Sequence, residues 1–341
     1  MLVNTRSHLF ALAVCATGRH GSRVGIDARG TKMKDKMVTL IGGGGFLGRY
    51  VAQELLAHGA RVRVAQPNPK AALFLKPLGN LGQTQFVAAD IRRPDSIARA
   101  VQGSDAVVNL VGILKGDFHA FQAAGACNVA TAAARAGVSA LVQISAIGAD
   151  PHSPSAYGRS KGEGEAMVRA AFPAATILRP SIVFGREDQF VNRFAAMIAA
   201  APVVPVVRGS ARFQPVYVGD VARAIVAALA EPGRFGGQTF ALGGPDIVTM
   251  RGLIEWIAAQ NGQSPLVVDV PDAVSAMIAA FGFLPGAPIT RDQWKMLQSD
   301  NVVAPDAMGM AAFGIVPTPM DAIAPGWLVQ YRRNGRFTAT A

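Results

Sequence analysis

The run "SAYGRSK" at 155–161 sets a phenol, Tyr157, and an ammonium, Lys161, four residues apart. On a helix that spacing puts both side chains on one face. An ammonium beside a phenol lowers its pKa and stabilises phenolate. Such a tyrosine can pass a proton to or from a carbonyl oxygen while a nicotinamide passes hydride. Ser145 lies twelve residues before Tyr157 and is a candidate to hydrogen-bond the same oxygen. A Tyr and a Lys four apart recur by chance. A serine at the carboxyl edge of a sheet, just before them, makes the coincidence harder to sustain.

That chemistry needs a scaffold that brings the three groups to one edge. From Met37 onward short apolar runs alternate with amphipathic ones. "MVTLIG" at 37–42 reads as a buried strand. Further strands are expected at 61–65, 84–90, 105–112, 139–145 and 175–183, with helices at 46–57, 94–103, 118–136 and 156–171. In the first helix Phe46, Val51, Leu55 and Leu56 lie on or near one face. Strand–helix alternation builds a parallel sheet with right-handed crossovers and helices on both faces. Beyond Phe184 the regularity fades. Segments 186–212 and 246–330 hold many Pro and Gly and little strand pattern, while 212–232 reads as one more strand and helix returning to the main sheet. The expected fold is α/β: a doubly wound parallel Rossmann sheet over 37–185 plus 213–245, with a smaller, mostly helical C-terminal lobe over 186–212 plus 246–330. Residues 1–36 read as an extension and 331–341 as a basic tail.

Gly42, Gly43, Gly44 and Gly45 stand in a row, and Gly48 follows. Each costs backbone entropy on folding, so something must approach this backbone closely. A glycine cluster that leaves a first strand and opens a helix is the dinucleotide fingerprint. One glycine turns the chain, one admits the pyrophosphate, and one lets helix and sheet pack. Both Gly42-x-x-Gly45-x-x-Gly48 and Gly43-x-Gly45-x-x-Gly48 fit. The helix start, at Phe46 and Leu47, presents free N–H groups and a positive dipole end to phosphates. An acid at the end of the second strand would bond the 2′-hydroxyl of NAD. Here the strand ends Val64-Ala65-Gln66-Pro67-Asn68, with no carboxylate, while Arg49 follows the last glycine and Lys70 lies just beyond. That pattern favours a 2′-phosphate, hence NADP(H) over NAD(H). Asp90, ending the third strand, is a candidate acceptor for the adenine amino group, or equally a cap for the helix starting near Asp95. Val111, in "NLVG" at 109–112, ends the fourth strand beside the expected cofactor groove.

The chain has 341 residues, 50% hydrophobic and only 16% charged, with a net charge of +11. No uninterrupted apolar run reaches the length of a membrane span: 194–207 is broken by Pro202 and Pro205, and 275–287 by Gly282 and Pro285. The charge sits at the ends. Residues 1–36 hold seven Lys/Arg against Asp27 and Asp35, and the tail adds Arg332, Arg333 and Arg336. A weakly charged body argues against a nucleic-acid partner. Basic ends suit a membrane surface or an acidic subunit. "HLFALAVCA" at 8–16 has the look of a signal-peptide centre, and the Arg-rich, acid-poor run that of a transit peptide. The favoured reading is an upstream start, with Met33 or Met37 the working initiator, because a strand begins at once after Met37. Cys15 and Cys127 provide neither a disulfide framework nor zinc spacing, which fits a reducing compartment without a metal site.

Gly42-x-x-Gly45-Phe46-Leu47-Gly48, Tyr157-x-x-x-Lys161, "LRPSIVFG" at 178–185 and "PVYVGDVA" at 215–222 together resemble the extended or atypical short-chain dehydrogenase/reductase superfamily. Longer strings narrow the resemblance. "FGREDQFVNRFA" at 184–195, "LKPLGNLGQ" at 75–83, "QPVYVGDVA" at 214–222 and "ITRDQWKML" at 289–297 are similar to the NAD(P)H-binding accessory subunits of respiratory complex I, the alpha subcomplex subunit 9 family, and to their bacterial homologues. The similarity spans roughly residues 37–330. It implies a tightly held NADPH with a structural role at the edge of a membrane complex, peripheral on the inner, cytoplasmic face of the inner membrane. It also implies a second setting in quinone metabolism, through a branch tied to ubiquinone biosynthesis. By this resemblance Gly42, Gly45, Gly48 and Arg49 hold the phosphates and Asp90 the adenine. Tyr157 and Lys161 bracket the nicotinamide ribose, and Pro180 lines the nicotinamide pocket. An active NADP-dependent reductase, epimerase or dehydratase is the alternative, because Ser145, Tyr157 and Lys161 occur together. In the lobe Arg186, Glu187, Asp188 and Asn192 are then the best polar candidates for a substrate.

Overall fold

The apolar run at the start of the body forms β1, Met37–Ile41, with both faces covered. Val38 and Leu40 belong to one buried cluster and Ile41 to the other. The structure, a computed structural model, describes residues 32–282, 289–333 and 335–337. β1 is joined by β2 (Arg61–Gln66), β3 (Thr84–Ala88), β4 (Ala106–Asn109), β5 (Ala140–Ile144), β6 (Thr176–Pro180) and β7 (Thr239–Leu242). They form one seven-stranded sheet in the order β7-β6-β5-β4-β1-β2-β3, and every neighbouring pair is parallel. The helices are α1 (Phe46–Ala57), α2 (Pro94–Val101), α3 (Gly125–Arg135), α4 (Ala156–Ala171), α5 (Val191–Ala200) and α6 (Val218–Ala230). One sheet face is sealed by Val51 and Leu55 of α1 with Val221 and Ile225 of α6. The other is sealed by Ile97 of α2, Val129 and Ala133 of α3, and Val168 of α4. Each such Val, Leu or Ile contributes about 1.5–3 kcal/mol by leaving water. The sheet is therefore the doubly wound α/β unit that the alternation implies, and strand order reverses between β1 and β4. That reversal is where such sheets bind ligands.

Three departures from the sequence reading have local causes. The stretch 175–183 does not run as one strand. The Ser181 N–H still donates to Leu242 O in the ladder with β7, but the Ile182 N–H donates to Asn301 Oδ1, and from there the chain turns out of the sheet. Val183–Phe184 then pairs with Val216–Tyr217 in a separate two-stranded ladder. The strand expected within 212–232 therefore stays outside the main sheet, although helix α6 does pack on it. The edge strand is β7, a four-residue run too short to show alternation. Finally, the helix expected over 118–136 starts as a π-helical turn, His119–Ala124, before α3; such turns cluster at functional sites.

The C-terminal lobe has its own core, including Phe184, Ile198, Val204, Leu253, Ile257 and Trp327. Its helices include α5, α7 (Met250–Gln260), α8 (Asp272–Ala280) and α9 (Arg291–Met296), and Val203–Val207 pairs in parallel with Leu266–Val270.

Residues 1–31, Cys15 among them, lie outside the described residues. Residues 32–36, read above as extension, pack on the body. Met33 is only 2% exposed in the sheet core, the Asp35 N–H donates to Gly59 O, and Lys36 pairs with Asp105 at 3.1 Å. A chain beginning at Lys32 is expected to melt like the full chain. One beginning at Met37 is expected to lose about 2 kcal/mol, the worth of a buried methionine. Urea denaturation of the two truncations checks this.

Candidate functional site

The glycines leaving β1 divide three tasks. Gly42 has φ of 79°, the left-handed conformation that favours glycine, and a Cβ there would stand 2.9 Å from Val111 Cγ2. Gly48 lies inside α1, where a Cβ would come within 2.2 Å of Gly43 O. Gly45 is the N-cap of α1, and a Cβ there would meet only Gly42 O, at 3.5 Å. Gly42, Gly45 and Gly48 thus serve turn, open backbone and close packing, and Gly43, where a Cβ would stand 2.7 Å from Leu40 Cβ, is confined as well. No side chain caps α1 and no acid sits in its first turn. Its first amides, near Phe46 and Leu47, can receive an anion. A dinucleotide pyrophosphate fits this cradle.

Around the cradle most polar groups already have partners. Gln66 Oε1 accepts from the Gly44 N–H at 3.0 Å, and its Nε2 donates to Asn68 O at 2.7 Å. Sequence reasoning saw at position 66 only a missing acid; the amide is a brace for the glycine turn. Arg49 pairs with Glu187 at 2.7 Å and lies over the Phe74 ring at 4.7 Å. The Tyr50 hydroxyl donates to the other Glu187 oxygen at 2.7 Å, and burial together with that carboxylate pushes the Tyr50 phenol up. Lys70 is exposed. Asp90 accepts two bonds from the Arg92 guanidinium, at 3.0 and 2.7 Å, and one from the Arg92 N–H. That guanidinium holds its carboxyl below the usual range. Asp90 does not cap α2, whose N-cap is Arg93.

Lys161, Tyr157 and Ser145, the residues suggested by the sequence for proton transfer, lie beyond the ends of β4 and β5. Lys161 is buried in α4, and its Nζ donates to Ile144 O at 3.2 Å. A Cβ on Gly112, in the chain leaving β4, would lie 3.5 Å from the same nitrogen. Nζ stands 5.9 Å from the centre of the Tyr157 ring, and Phe118 meets that ring edge-on. Ser145 is 4% exposed, and its Oγ has no hydrogen-bond partner in the structure. An orphaned buried hydroxyl beside an uncapped cradle is what a ligand-receiving site looks like. Pro180 closes β6, and its carbonyl accepts from the Ile147 N–H just beyond Ser145. One expectation is overturned. Burial pushes the Tyr157 phenol up to about 12 rather than down. It also pulls Lys161 down to about 8, against the opposing influence of Glu165. Nζ sits over the ring, bound to a carbonyl, and desolvation outweighs its charge.

Residues 38–243 match the family described as NAD dependent epimerase/dehydratase. The chain belongs to the NAD dependent epimerase/dehydratase family. It is 35% identical over 294 residues to the mitochondrial NADH dehydrogenase (ubiquinone) 1 alpha subcomplex subunit 9 of Mus musculus, covering 84% of this chain and 78% of that protein. The Arabidopsis thaliana protein of the same description is 33% identical, covering 93% and 83%. The resemblance first carried by short strings therefore extends over most of the chain. Among solved structures, the NADPH-dependent quinone oxidoreductase of Escherichia coli complexed with NADPH superposes with a TM-score of 0.69, covering 86% of this chain and 99% of that one. At 20% identity that likeness speaks for the fold.

Of the lobe residues suggested for a substrate, Glu187, Asp188 and Asn192 have protein partners. The Asp188 carboxylate gathers the N–H groups of Gly185, Phe190 and Val191 at 3.0, 2.8 and 2.6 Å, stapling the loop that presents Glu187. Asn192 donates to Arg186 O and Asp188 O and accepts from the Tyr331 hydroxyl. Among the described residues no group of three or more His, Cys, Asp or Glu is placed to hold a metal.

Proposed function

We propose that this protein is an NADP(H)-binding accessory or assembly subunit of respiratory complex I, or of a related quinone-handling membrane complex, with the nucleotide as a structural ligand. The observation that carries this reading is the near-full-length similarity to alpha subcomplex subunit 9 proteins, combined with an open glycine cradle. Gly42, Gly45 and Gly48 shape the phosphate site with Phe46, Leu47 and Arg49, while Val111 backs the turn. Tyr157 and Lys161 hold the nicotinamide ribose, Pro180 borders the nicotinamide, and Asp90 faces the adenine. NADP(H) is preferred because β2 ends without a carboxylate while Arg49 and Lys70 lie close by in the sequence. The protein sits peripherally on the inner face of the inner membrane. No helix among the described residues is long and apolar enough to cross a membrane. The lobe does expose apolar side chains: Leu266 is 64% exposed, Met277 58% and Phe281 56%. Of the apolar run 275–287 noted in the sequence, residues 283–287 lie outside the described residues. In the tail, Arg332 donates to Gln260 O; residues 338–341 lie outside the description as well.

Denaturing the purified protein is expected to release mainly NADP(H). Predominant NAD(H) sinks the preference. Arg49→Ala should weaken NADP(H) about tenfold more than NAD(H), since a charge-assisted bond is worth about 1.5–3 kcal/mol and this one must displace Glu187. The assembly role is tested by fractionation: wild-type protein should co-purify with membranes and with the NADH–quinone oxidoreductase. Protein that stays soluble and alone removes it.

The orphaned Ser145 hydroxyl favours a second reading, an active oxidoreductase, epimerase or dehydratase using Ser145, Tyr157 and Lys161. If turnover exists, Tyr157→Phe should abolish it while nucleotide stays bound, because the ring still packs and the proton donor is gone. Wild-type turnover by that variant excludes the role.

A further inference from the structure

The string "ITRDQWKML" has a structural reason that its position, far from the sheet, did not suggest. Thr290 and Gln293 form a reciprocal capping box, with bonds of 3.0 and 3.2 Å, which sets the start of α9. The second residue of that helix, Asp292, does not serve its own helix alone. Its Oδ1 accepts from the Ala156 N–H at 2.6 Å, and its Oδ2 accepts from the Tyr157 N–H at 3.1 Å and from Ser155 Oγ at 3.0 Å. Ser155 Oγ in turn accepts from the Gly158 N–H at 3.2 Å. The first three amides of α4, left over by helix geometry, are thus all satisfied, two of them by a residue more than 130 positions away. Lys295 adds a bond to Pro154 O at 3.0 Å. Two helix N-termini, each with positive dipole character, meet at one carboxylate, which stabilises both. Removing it leaves two half-buried amides without an acceptor and the Ser155 hydroxyl with only the Gly158 N–H, and the dipole ends facing each other.

α4 is the helix that carries Tyr157 and Lys161, and Asp292 grips the backbone of Tyr157 itself. We infer that Asp292 is a positioning residue: it fastens the C-terminal lobe to the first turn of α4, sets Tyr157 for the nucleotide, and so couples the docking of the lobe to nucleotide occupancy. The inference rests on the nucleotide-binding reading above. Coupling of this kind is reciprocal, so what the lobe does to the nucleotide the nucleotide does to the lobe.

The experiment uses the full chain and NADPH. Asp292→Ala is expected to weaken NADPH binding at least tenfold by fluorescence titration, and Asp292→Asn, which keeps one acceptor, to recover part of the loss. In a Tyr157→Phe background the Asp292→Ala effect should shrink to about threefold or less, because the group being positioned is gone. By hydrogen exchange, NADPH should slow the amides of 291–296 in wild type and not in Asp292→Ala. Asp292→Ala binding NADPH within twofold of wild type overturns the inference. So does an equal loss with and without the Tyr157 hydroxyl, which would mark a merely structural cap. Should Asp292→Ala fail to fold, Asp292→Asn is judged by the same two criteria. Wild-type protein that takes up neither NADPH nor NADH overturns the nucleotide-binding reading and this inference with it.

Discussion

Gly45→Asp should fold and, with both proteins compared free of nucleotide, melt like wild type, yet lose NADP(H) affinity by a hundredfold or more. Gly45 has φ of −81°, which any residue adopts, and its missing Cβ faces open space apart from Gly42 O at 3.5 Å. Aspartate is moreover a favoured N-cap and would satisfy amides of α1 that no side chain now caps. The same carboxylate would stand where the pyrophosphate must approach. Two unit charges about 4 Å apart repel by about 4 kcal/mol at the dielectric of a protein surface, ample for the stated loss. Gly48→Ala should do the reverse. Its methyl would be driven against Gly43 O and Gly43 C, at 2.2 and 2.6 Å, and backbone cannot swing aside as a side chain does. Lifting α1 off the sheet should cost about 3 kcal/mol. Thermal melts and isothermal titration of the two variants separate the tasks of the motif. A cold-sensitive or unfolded Gly45→Asp, or a Gly48→Ala as stable as wild type, contradicts the assignment. Gly45→Asp also probes the structural-ligand idea: if the nucleotide-free protein still co-purifies with the membrane complex at wild-type levels, the nucleotide is not needed for docking.

Lys161→Met should weaken NADP(H) binding about thirtyfold at pH 7 while leaving the free protein as stable as wild type or more so. Burial holds the Lys161 ammonium down at about 8, with Glu165 opposing. The unfolded value is about 10.4. A base whose folded pKa is depressed contributes stability above its unfolded pKa and loses it as pH falls through the folded value. Wild type therefore carries its full penalty below pH 8 and is relieved of it between pH 8 and 10. Methionine carries no such penalty, although it also gives up the bond to Ile144 O. Binding runs the other way. A ligand whose hydroxyls accept from the ammonium raises its pKa, so binding takes up a proton above pH 8. Affinity should be flat below pH 8 and fall above it, by up to tenfold per pH unit. In Lys161→Met that fall should be absent. Titration of both proteins from pH 6.5 to 10 decides the matter; parallel profiles would remove Lys161 from the site.

The dinucleotide cradle was legible from the chain because its signal is local: a strand, a turn and a helix start contribute all of it within a dozen residues. Tyr157 and Lys161 were legible for the same reason, being one helical turn apart. The central strands β1, β4 and β5 were legible because burial on both faces demands near-continuous apolar runs, and β2 and β3, nearer the open edge, because their short Val- and Phe-bearing runs fall between turns. Beyond these, spacing says nothing about which distant groups meet. β7 is too short to carry a pattern, and the residues near Val216 pair with Val183–Phe184 only because the chain leaves the ladder after Ser181, where Asn301 takes the Ile182 N–H. The direction of the Tyr157 shift was misread because it depends on how far the pocket is desolvated, a property of the packed fold and not of a neighbour four residues away. The pairing of Arg49 with Glu187, and the grip of Asp292 on the amides of Ala156 and Tyr157, join segments separated by more than a hundred residues. Only the folded chain brings such groups within hydrogen-bond reach, and there the cost of leaving a buried amide or charge unpaired decides which of them become partners.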